Sequence, residues 1–327
     1  MFLIQRHVSL LSFLVIGATI FSLVHGFSAP SSPADLKKSI VVYGPQSKEL
    51  LLLVSKLAAQ QGYTASCICA PGTEEGCRRL MYGPEYAEAA QDVEGNAKPI
   101  SEPTDMGAAL EQANALVLIN YDEAVEGPSL ETFLKYTTKE QLQKVVLLSK
   151  MGVTKAKKGF FGGGMDTRLG QAEQDIAKIL QNYNPNVPLS IIRAGIVKGG
   201  GPGLDDEGNP LQADSSLHKC YYTTYLDVVE YKVTLAHDKF SLGAHVTSIV
   251  AGDPHLLPNM VTQIGTKSSF DPSATDTNRI VAASAAVAAL QYDDPIEISI
   301  GTAAGRELPS PSAWMDLFAQ FKAAAVP

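Results

Sequence analysis

Hydrophobic and polar positions along the chain switch between two periods. Ser39-Ile40-Val41-Val42-Tyr43 is a β-branched run that stops at Gly44, and from Ser47 to Gln61 the residues Leu50, Leu51, Leu53, Val54, Leu57 and Ala58 recur at three- and four-residue steps. The first is the pattern of a strand, the second the buried stripe of a helix. A second strand is read at Tyr63 to Cys69, ending at Ala70-Pro71-Gly72, and a third at Ala97 to Ser101. Ala115-Leu116-Val117-Leu118-Ile119-Asn120 is unbroken and apolar, as a central parallel strand covered on both faces must be. Lys144 to Ser149 and Val187 to Arg193 make the fifth and sixth strands. Between them the pattern predicts a helix capped by Thr104 and running to Gln112, and another around Ser129 to Lys139. A third begins at Asp166 or Thr167, with Leu169, Ala172, Ile176, Ile179 and Leu180 on one face. Strands alternating with helices at this spacing predict an α/β fold with a doubly wound parallel sheet.

The first βα corner carries the first candidate chemistry. A strand, a glycine turn and a helix is how a dinucleotide fold begins, because the helix N-terminus then directs free N–H groups at a pyrophosphate. Gly44, Pro45, Gln46 and Ser47 are therefore candidate cofactor-binding residues, joined by the strand-end Asn120 and Ser149. Of the G-x-x-G-x-x-G fingerprint only Gly44 stands, with Ser47 and Leu50 at the later glycine places. The corner is thus open to two readings, a cofactor turn or a purely structural bend. The end of the second strand, where an acid would bind a ribose hydroxyl or an arginine a 2′-phosphate, has neither type from Ala70 to Thr73, which leaves NAD and NADP undivided. Arg78 and Arg79 lie further on, on a helix face.

A serine ending strand five, a helix carrying Gln171-Ala172-Glu173, and then Ile191-Ile192-Arg193-Ala194-Gly195-Ile196-Val197 form an ordered set. It resembles the atypical (extended, NmrA-like) short-chain dehydrogenase/reductases, whose sixth strand commonly ends in T-x-x-R-P-G. Ser190 and Arg193 match in kind, Gly195 matches, and Ala194 replaces the proline. Thr277-Asn278-Arg279-Ile280-Val281-Ala282-Ala283 resembles that family's C-terminal polar-Arg-x-x-[VA]-A helix, with a strand at Ile296 to Ile300 after it and a last helix opened by Trp314 and running to Phe321. The resemblance covers residues 38–200 and 273–325. It implies a Rossmann-like sheet, a bound NAD or NADP, and an oxidoreductase.

The family's Tyr-x-x-x-Lys pair, in which the lysine lowers the phenol's pKa for proton exchange with the substrate, is missing. Phe160 and Phe161 offer no hydroxyl, Arg168 to Lys178 contains no tyrosine, and Tyr183 lies too near the far end of its helix. Ser149 remains the catalytic candidate, with Tyr221, Tyr222 and Tyr225 as alternative donors from a distal lobe. The alternative to an enzyme of unusual mechanism is a catalytically inactive plastid scaffold or assembly factor on the same fold. That lobe is read at residues 199–272, inserted before the chain returns to the fold at 273–327. It opens with the loop Gly199 to Pro210, and Lys219 to Ser248 reads as a strand pair from its alternating Tyr, Thr and Val residues.

Composition removes several classes. The net charge is −8 and the only basic block is Lys155-Ala156-Lys157-Lys158, so nucleic acid is not a partner, since phosphate binding needs clustered positive charge. The four cysteines, at 67, 69, 77 and 220, have neither C-x-x-C nor zinc-like spacing and read as free thiols. His218, His237, His245 and His255 form no helix pair, Asp205-Asp206-Glu207 reads as a solvated acidic loop, and no metal site is expected. Gly-x-Ser-x-Gly is absent, which removes the hydrolase nucleophile elbow.

The N-terminus is read apart from the fold. Met1 to His7 holds one arginine and no acid, Val8 to Val24 is uncharged, and Val24-His25-Gly26 offers a cleavage site, the pattern of a signal peptide over 1–26. An uncleaved anchor is the other reading of that run. Gly26-Phe27-Ser28-Ala29-Pro30 resembles the junction in bipartite plastid presequences of diatoms and related algae, which makes 27–37 transit-like and 38–327 the mature fold. Plastid delivery, a plastid protein partner and no stable membrane span after processing follow from it; plain secretion is the alternative.

Overall fold

β1 (Ser39–Tyr43) pairs in parallel with β2 (Thr64–Ile68) on one side and β4 (Ala115–Asn120) on the other, and the sheet grows outward from this centre. The computed structural model describes residues 38–46, 48–88, 93, 95–155, 165–211, 214–224, 228–241, 246–253, 276–302 and 308–321. Further strands are β3 (Lys98–Ile100), β5 (Lys144–Lys150), β6 (Leu189–Ala194), β7 (Ile196–Lys198), β8 (Val246–Ala251), β9 (Asp276–Asn278) and β10 (Glu297–Thr302). Eight of them form one sheet in the order β3-β2-β1-β4-β5-β6-β10-β8. Every pairing in it is parallel except β8, which runs antiparallel to β10 at the edge. The chain steps outward from β1 to β3, then returns to lay β4 beside β1. That is the order of a Rossmann-like doubly wound fold, with its switch point between β1 and β4. β7 and β9 make a separate parallel pair.

Alternation along the strands divides the core into two layers. Ile40, Val42, Val117, Ile119, Val146 and Leu148 face α1 (Lys48–Gln60) and two C-terminal helices, α9 (Arg279–Gln291) and α10 (Pro311–Ala319). Val41, Leu116, Leu118, Val145 and Leu147 face α4 (Pro103–Glu111), α5 (Gly127–Tyr136) and α6 (Met165–Tyr183). Burying one such aliphatic side chain contributes about 1.5–3 kcal/mol, so these two layers are the main cohesive term. Of the predicted stripe on α6, Leu169, Ala172, Ile176 and Leu180 are buried and Ile179 is partly buried.

α1 buries more than a stripe. Every residue from Leu50 to Ala59 is covered, including Leu52, Ser55 and Lys56. A helix buried all round must be covered on its outer side as well, and the segment after β7 does this. Gly200 approaches the Leu53 side chain, Lys56 Nζ donates to the Ser216 carbonyl at 2.6 Å, and His218 N donates to Leu80 O of α2 (Glu74–Tyr82) at 2.7 Å.

Several boundaries differ from the pattern-based expectation. Lys219 to Ser248 is not a strand pair: it folds as α7 (Cys220–Thr224), α8 (Val228–Ser241) and only then β8. Tyr221 and Tyr222 are adjacent and both buried, which an alternating strand cannot achieve, and their rings pack at 5.8 Å. Tertiary packing thus overrides the β-propensity of tyrosine and threonine. α4 starts one residue before Thr104, with Pro103 in its first turn and Glu102 as the N-cap. α10 starts before Trp314, at a Ser310 cap whose hydroxyl accepts from Ala313 N at 3.1 Å. α3 (Pro84–Glu88) follows α2 directly. Among the described residues no helix is long and apolar enough to cross a membrane.

Candidate dinucleotide cleft

A cleft of about 360 Å³ opens at the C-terminal ends of β1 and β2, beside the switch point. Its floor is the corner Tyr43-Gly44-Pro45-Gln46, one wall is Lys48 and Leu51 of α1, and the other is Ile68, Cys69, Ala70, Thr73 and Cys77. The size falls within the range of small-molecule pockets. Gly44 is set by the neighbouring strand. A Cβ there would stand 2.7 Å from Ile119 Cβ and 3.2 Å from Ile119 O, so β1 can turn under β4 only without a side chain. The corner is closed by Lys48 N donating to Gln46 O at 2.7 Å, and α1 starts directly from it.

Of the candidate cofactor residues, the structure brings Gly44, Pro45 and Gln46 into the cleft. Ser47 lies outside the described residues. Lys48 also lines the cleft and was missed by the fingerprint, although a cation in the first helical turn after the glycine corner is legible in the sequence. It is the one cation among the described lining residues, and none of them is acidic. The nearest acid on α2, Glu74, accepts a hydrogen bond from the Ser101 hydroxyl. Arg78 lines a different, small cavity with Tyr82 and Tyr86, and Arg79 is exposed.

Asn120 and Ser149 are elsewhere. They belong to a register row, Asn120–Ser149–Arg193–Ser299, across β4, β5, β6 and β10. All four are buried, Ser149 and Asn120 completely. Asn120 Nδ2 donates to Ser149 Oγ at 3.3 Å and to Leu169 O of α6 at 3.1 Å, while its Oδ1 accepts from Val125 N at 2.9 Å. Arg193 forms a two-pronged bond to Glu173 of α6, Nε to Oε1 at 3.1 Å and Nη2 to Oε2 at 2.7 Å, and its Nη1 reaches Glu297 at 2.7 Å. α6 therefore lies over the row. It closes onto the 3-10 turn Val153–Lys155 through Gly170, where any Cβ would run into the Val153 carbonyl. Asp253 ties the same turn down, accepting from Gly152 N at 2.5 Å and from Thr154 N and Oγ1 at 2.9 and 2.7 Å. Ser149 is a buried hydrogen-bond acceptor in this structure and is not in the cleft lining.

The distal tyrosines are also committed. Tyr222 OH donates to Asp238 Oδ2 at 2.7 Å and accepts from Gly203 N at 2.8 Å, and burial pushes its pKa upward. Tyr221 OH accepts from Arg279 Nη1 at 3.2 Å, and Tyr225 lies outside the described residues. Asp238 in turn accepts from Gly200 N at 2.9 Å and Gly201 N at 3.0 Å, so one buried carboxylate holds the Gly199–Gly203 loop. Burial raises that carboxyl's pKa to about 6 against the pull of Tyr222 and the two N–H donors. Asp205 caps its own loop, accepting from Glu207 N and Asn209 N at 2.9 and 2.7 Å. Among the described residues no group of three or more His, Cys, Asp or Glu could hold a metal, and His245 and His255 lie outside them.

No protein-family model matches the chain, and no curated protein matches it. Solved structures do. A protein described as an NAD-dependent epimerase/dehydratase from Bacillus halodurans aligns with 86% of this chain and 99% of its own at 12% identity and a TM-score of 0.46. Yeast methylglyoxal/isovaleraldehyde reductase, complexed with NADPH, aligns over 80% of this chain and 74% of its own at 12% identity and a TM-score of 0.44. UDP-N-acetylglucosamine 4-epimerase from Bacillus cereus aligns over 85% and 83%, at 9% identity and a TM-score of 0.36. The Rossmann-like fold rests on the strand order itself.

Proposed function

We propose that this protein binds a nicotinamide dinucleotide, with the pyrophosphate at the Gly44-Pro45-Gln46 corner and the N-terminus of α1. The observation that carries the reading is the cleft itself: it sits at the C-terminal ends of β1 and β2, next to the switch point, where ligands of open α/β sheets bind. The lining fits such a group. Lys48 offers a cation at the helix start, the helix dipole adds to it, and no described lining residue is an acid that would repel phosphate. The lining does not divide NADP from NAD, because Lys48 serves the pyrophosphate that both carry and the end of β2 offers neither an acid nor an arginine. When bound, the cofactor would supply hydride chemistry; the chain's own part is to hold and orient it.

The second reading, a dinucleotide-binding scaffold without turnover, is favoured by the commitments of Ser149, Tyr221 and Tyr222. Each hydroxyl is buried and hydrogen-bonded within the protein. Hydride delivery to a carbonyl leaves a developing alkoxide, and a placed proton donor is worth about 10²–10⁴-fold in rate. Generic aldehydes and ketones are therefore expected not to be turned over with NADPH. Brisk turnover abolished by Ser149→Ala would place catalysis at Ser149 and overturn this reading. Binding is tested directly by titrating the full chain with NADPH and NADH. Lys48→Ala should weaken NADPH by about tenfold or more, since a hydrogen bond to a charged group contributes about 1.5–3 kcal/mol.

The site of action belongs to the same proposal. Residues 1–40 fused to a fluorescent protein should enter the plastid of an alga with secondary plastids, and Phe27→Ala should leave the fusion outside it. Secretion of the intact fusion would contradict plastid delivery.

A further inference from the structure

α1 carries a lysine where its neighbours are mostly leucines and alanines. Lys56 is 5% exposed, and lysine is rarely buried this far unless its charge is held. It lies at the floor of a second cavity, of about 260 Å³, roofed by the segment after β7 and sharing no lining residue with the cleft at Gly44. Lys48 and Lys56 are eight residues apart, about 12 Å along α1. Lys56 Nζ donates to the Ser216 carbonyl at 2.6 Å and stands 5.6 Å from the centre of the Tyr82 ring. Gln60 Nε2 donates to the Asp214 main-chain carbonyl, so α1 fastens the roof at two points. His218 is fixed in the wall. Its main-chain N–H donates to Leu80 O at 2.7 Å, and its Nδ1 accepts from Cys220 N at 3.2 Å, which puts the proton of the neutral ring on Nε2. Gly83, at φ +102°, makes room for the imidazole, since a Cβ there would stand 3.0 Å from Nε2. Lys219 is exposed at the rim. The described lining thus sets two lysines and a histidine against one acid, the exposed Asp214, in a chain whose net charge is −8. A concave surface lined mainly by one sign of charge focuses its field on an ion of the other.

We propose that this cavity binds a small phosphate monoester, with the phosphate between Lys56, His218 and Lys219 and the organic body against Met81, Leu217 and the Tyr82 ring. Lysines acting as point charges suit a phosphate dianion. A planar carboxylate is matched better by an arginine fork, and no arginine stands among the described lining residues. The site is separate from the dinucleotide cleft and does not depend on that reading. It also has a pH signature. Burial holds the Lys56 pKa down at about 8, against the pull of Asp214, so the ammonium charge is lost as pH rises through 8. Tyr82 of α2 and Asp214, His218 and Lys219 of the roof are the charged and titratable groups that line the cavity with it. Burial pushes Tyr82 up to about 12 and, together with the charges of Lys219, Lys56 and Arg79, holds His218 below the usual histidine range, so neither changes charge between pH 7 and 9. A phosphate monoester is a dianion above about pH 6. Binding is therefore strongest near pH 7 and weakens toward pH 9.

The test is calorimetric titration of the full chain at pH 7 with phenyl phosphate, and with phenol as the same body without the charge. One saturable site for phenyl phosphate, and no comparable binding of phenol, is expected. Lys56→Met keeps the apolar stem, removes the charge and should weaken binding by about tenfold or more. Lys219→Gln changes an exposed position and should weaken it by about two- to fivefold. It decides the matter if Lys56→Met does not fold, which Trp314 fluorescence reports. Affinity should fall between pH 7 and 9 in the unaltered chain and stay level in Lys56→Met. Lys48→Ala should leave phenyl phosphate binding as it is while weakening NADPH, so the two sites stand or fall separately. No heat with phenyl phosphate, equal binding of phenol, or unchanged affinity in both Lys56→Met and Lys219→Gln would each overturn the proposal. Loss of binding in Lys48→Ala alone would place the anion at the Gly44 corner and overturn it as well.

Discussion

A methyl group at Gly44 would stand 2.7 Å from Ile119 Cβ, closer than side chains come, and Gly44 carries no positive φ that would itself demand glycine. The constraint is the adjacent strand. Gly44→Val should therefore destabilise the fold by about 1–3 kcal/mol, the usual range for overpacking, whether or not a ligand binds. Urea unfolding followed by fluorescence of the sole tryptophan, Trp314, reads it. That probe is well placed: the indole is buried and donates from Nε1 to Ser284 Oγ at 2.9 Å. Asp238 gives a residue-scale pH signature. Its carboxyl has a folded pKa of about 6, raised by burial above the ordinary carboxylate range, so the folded state holds the proton more tightly than the unfolded chain. Its contribution to stability is full below about pH 4 and is lost as pH rises through 6. Melting temperatures of Asp238→Asn against the unaltered protein between pH 4 and 7 should converge or cross as that term disappears. Parallel curves would show that Asp238 does not titrate in this window.

At the scale of elements, α6 connects the sheet to its polar row through one ion pair. Arg193 and Glu173 are 1% and 4% exposed, and Arg193 keeps a second partner in Glu297, which is 53% exposed. Removing one member of a buried pair costs about 3–5 kcal/mol, because the other charge stays behind without its partner. Glu173→Ala should fall in the lower part of that range, since Glu297 still neutralises part of Arg193, and denaturant midpoints measure it. A change within experimental error would mean that α6 is held by its apolar face alone. Elements of this kind were legible in the sequence. The unbroken apolar run 115–120 and the Leu169-Ala172-Ile176-Leu180 stripe stand where their periods put them. The Tyr- and Thr-rich segment was not legible as helix, because its residue types favour strands while Asp238, Gly203 and the ring of Tyr231 decide where Tyr222 goes. Ser149 was legible as a strand end, but its burial depends on Gly170 letting α6 approach, a contact between distant residues.

For the whole molecule, the sheet order and the cleft beside its switch point define one central claim, that a nicotinamide dinucleotide is held at the first βα corner. The corner was visible in the sequence from Gly44 onward. The second wall was not, because Cys69, Thr73 and Cys77 come together only when β2 and α2 pack. A ligand that binds only the folded state stabilises it by about 2.7 kcal/mol at 100 times its Kd, so NADPH should also raise the melting temperature, and Lys48→Ala should reduce that rise. The most direct measurement is calorimetric titration of the reduced, folded full chain with NADPH, repeated on Lys48→Ala. One saturable site, weakened by about tenfold or more in the variant, is the predicted result. No heat with either NADPH or NADH, from protein whose Trp314 fluorescence is native, would contradict it.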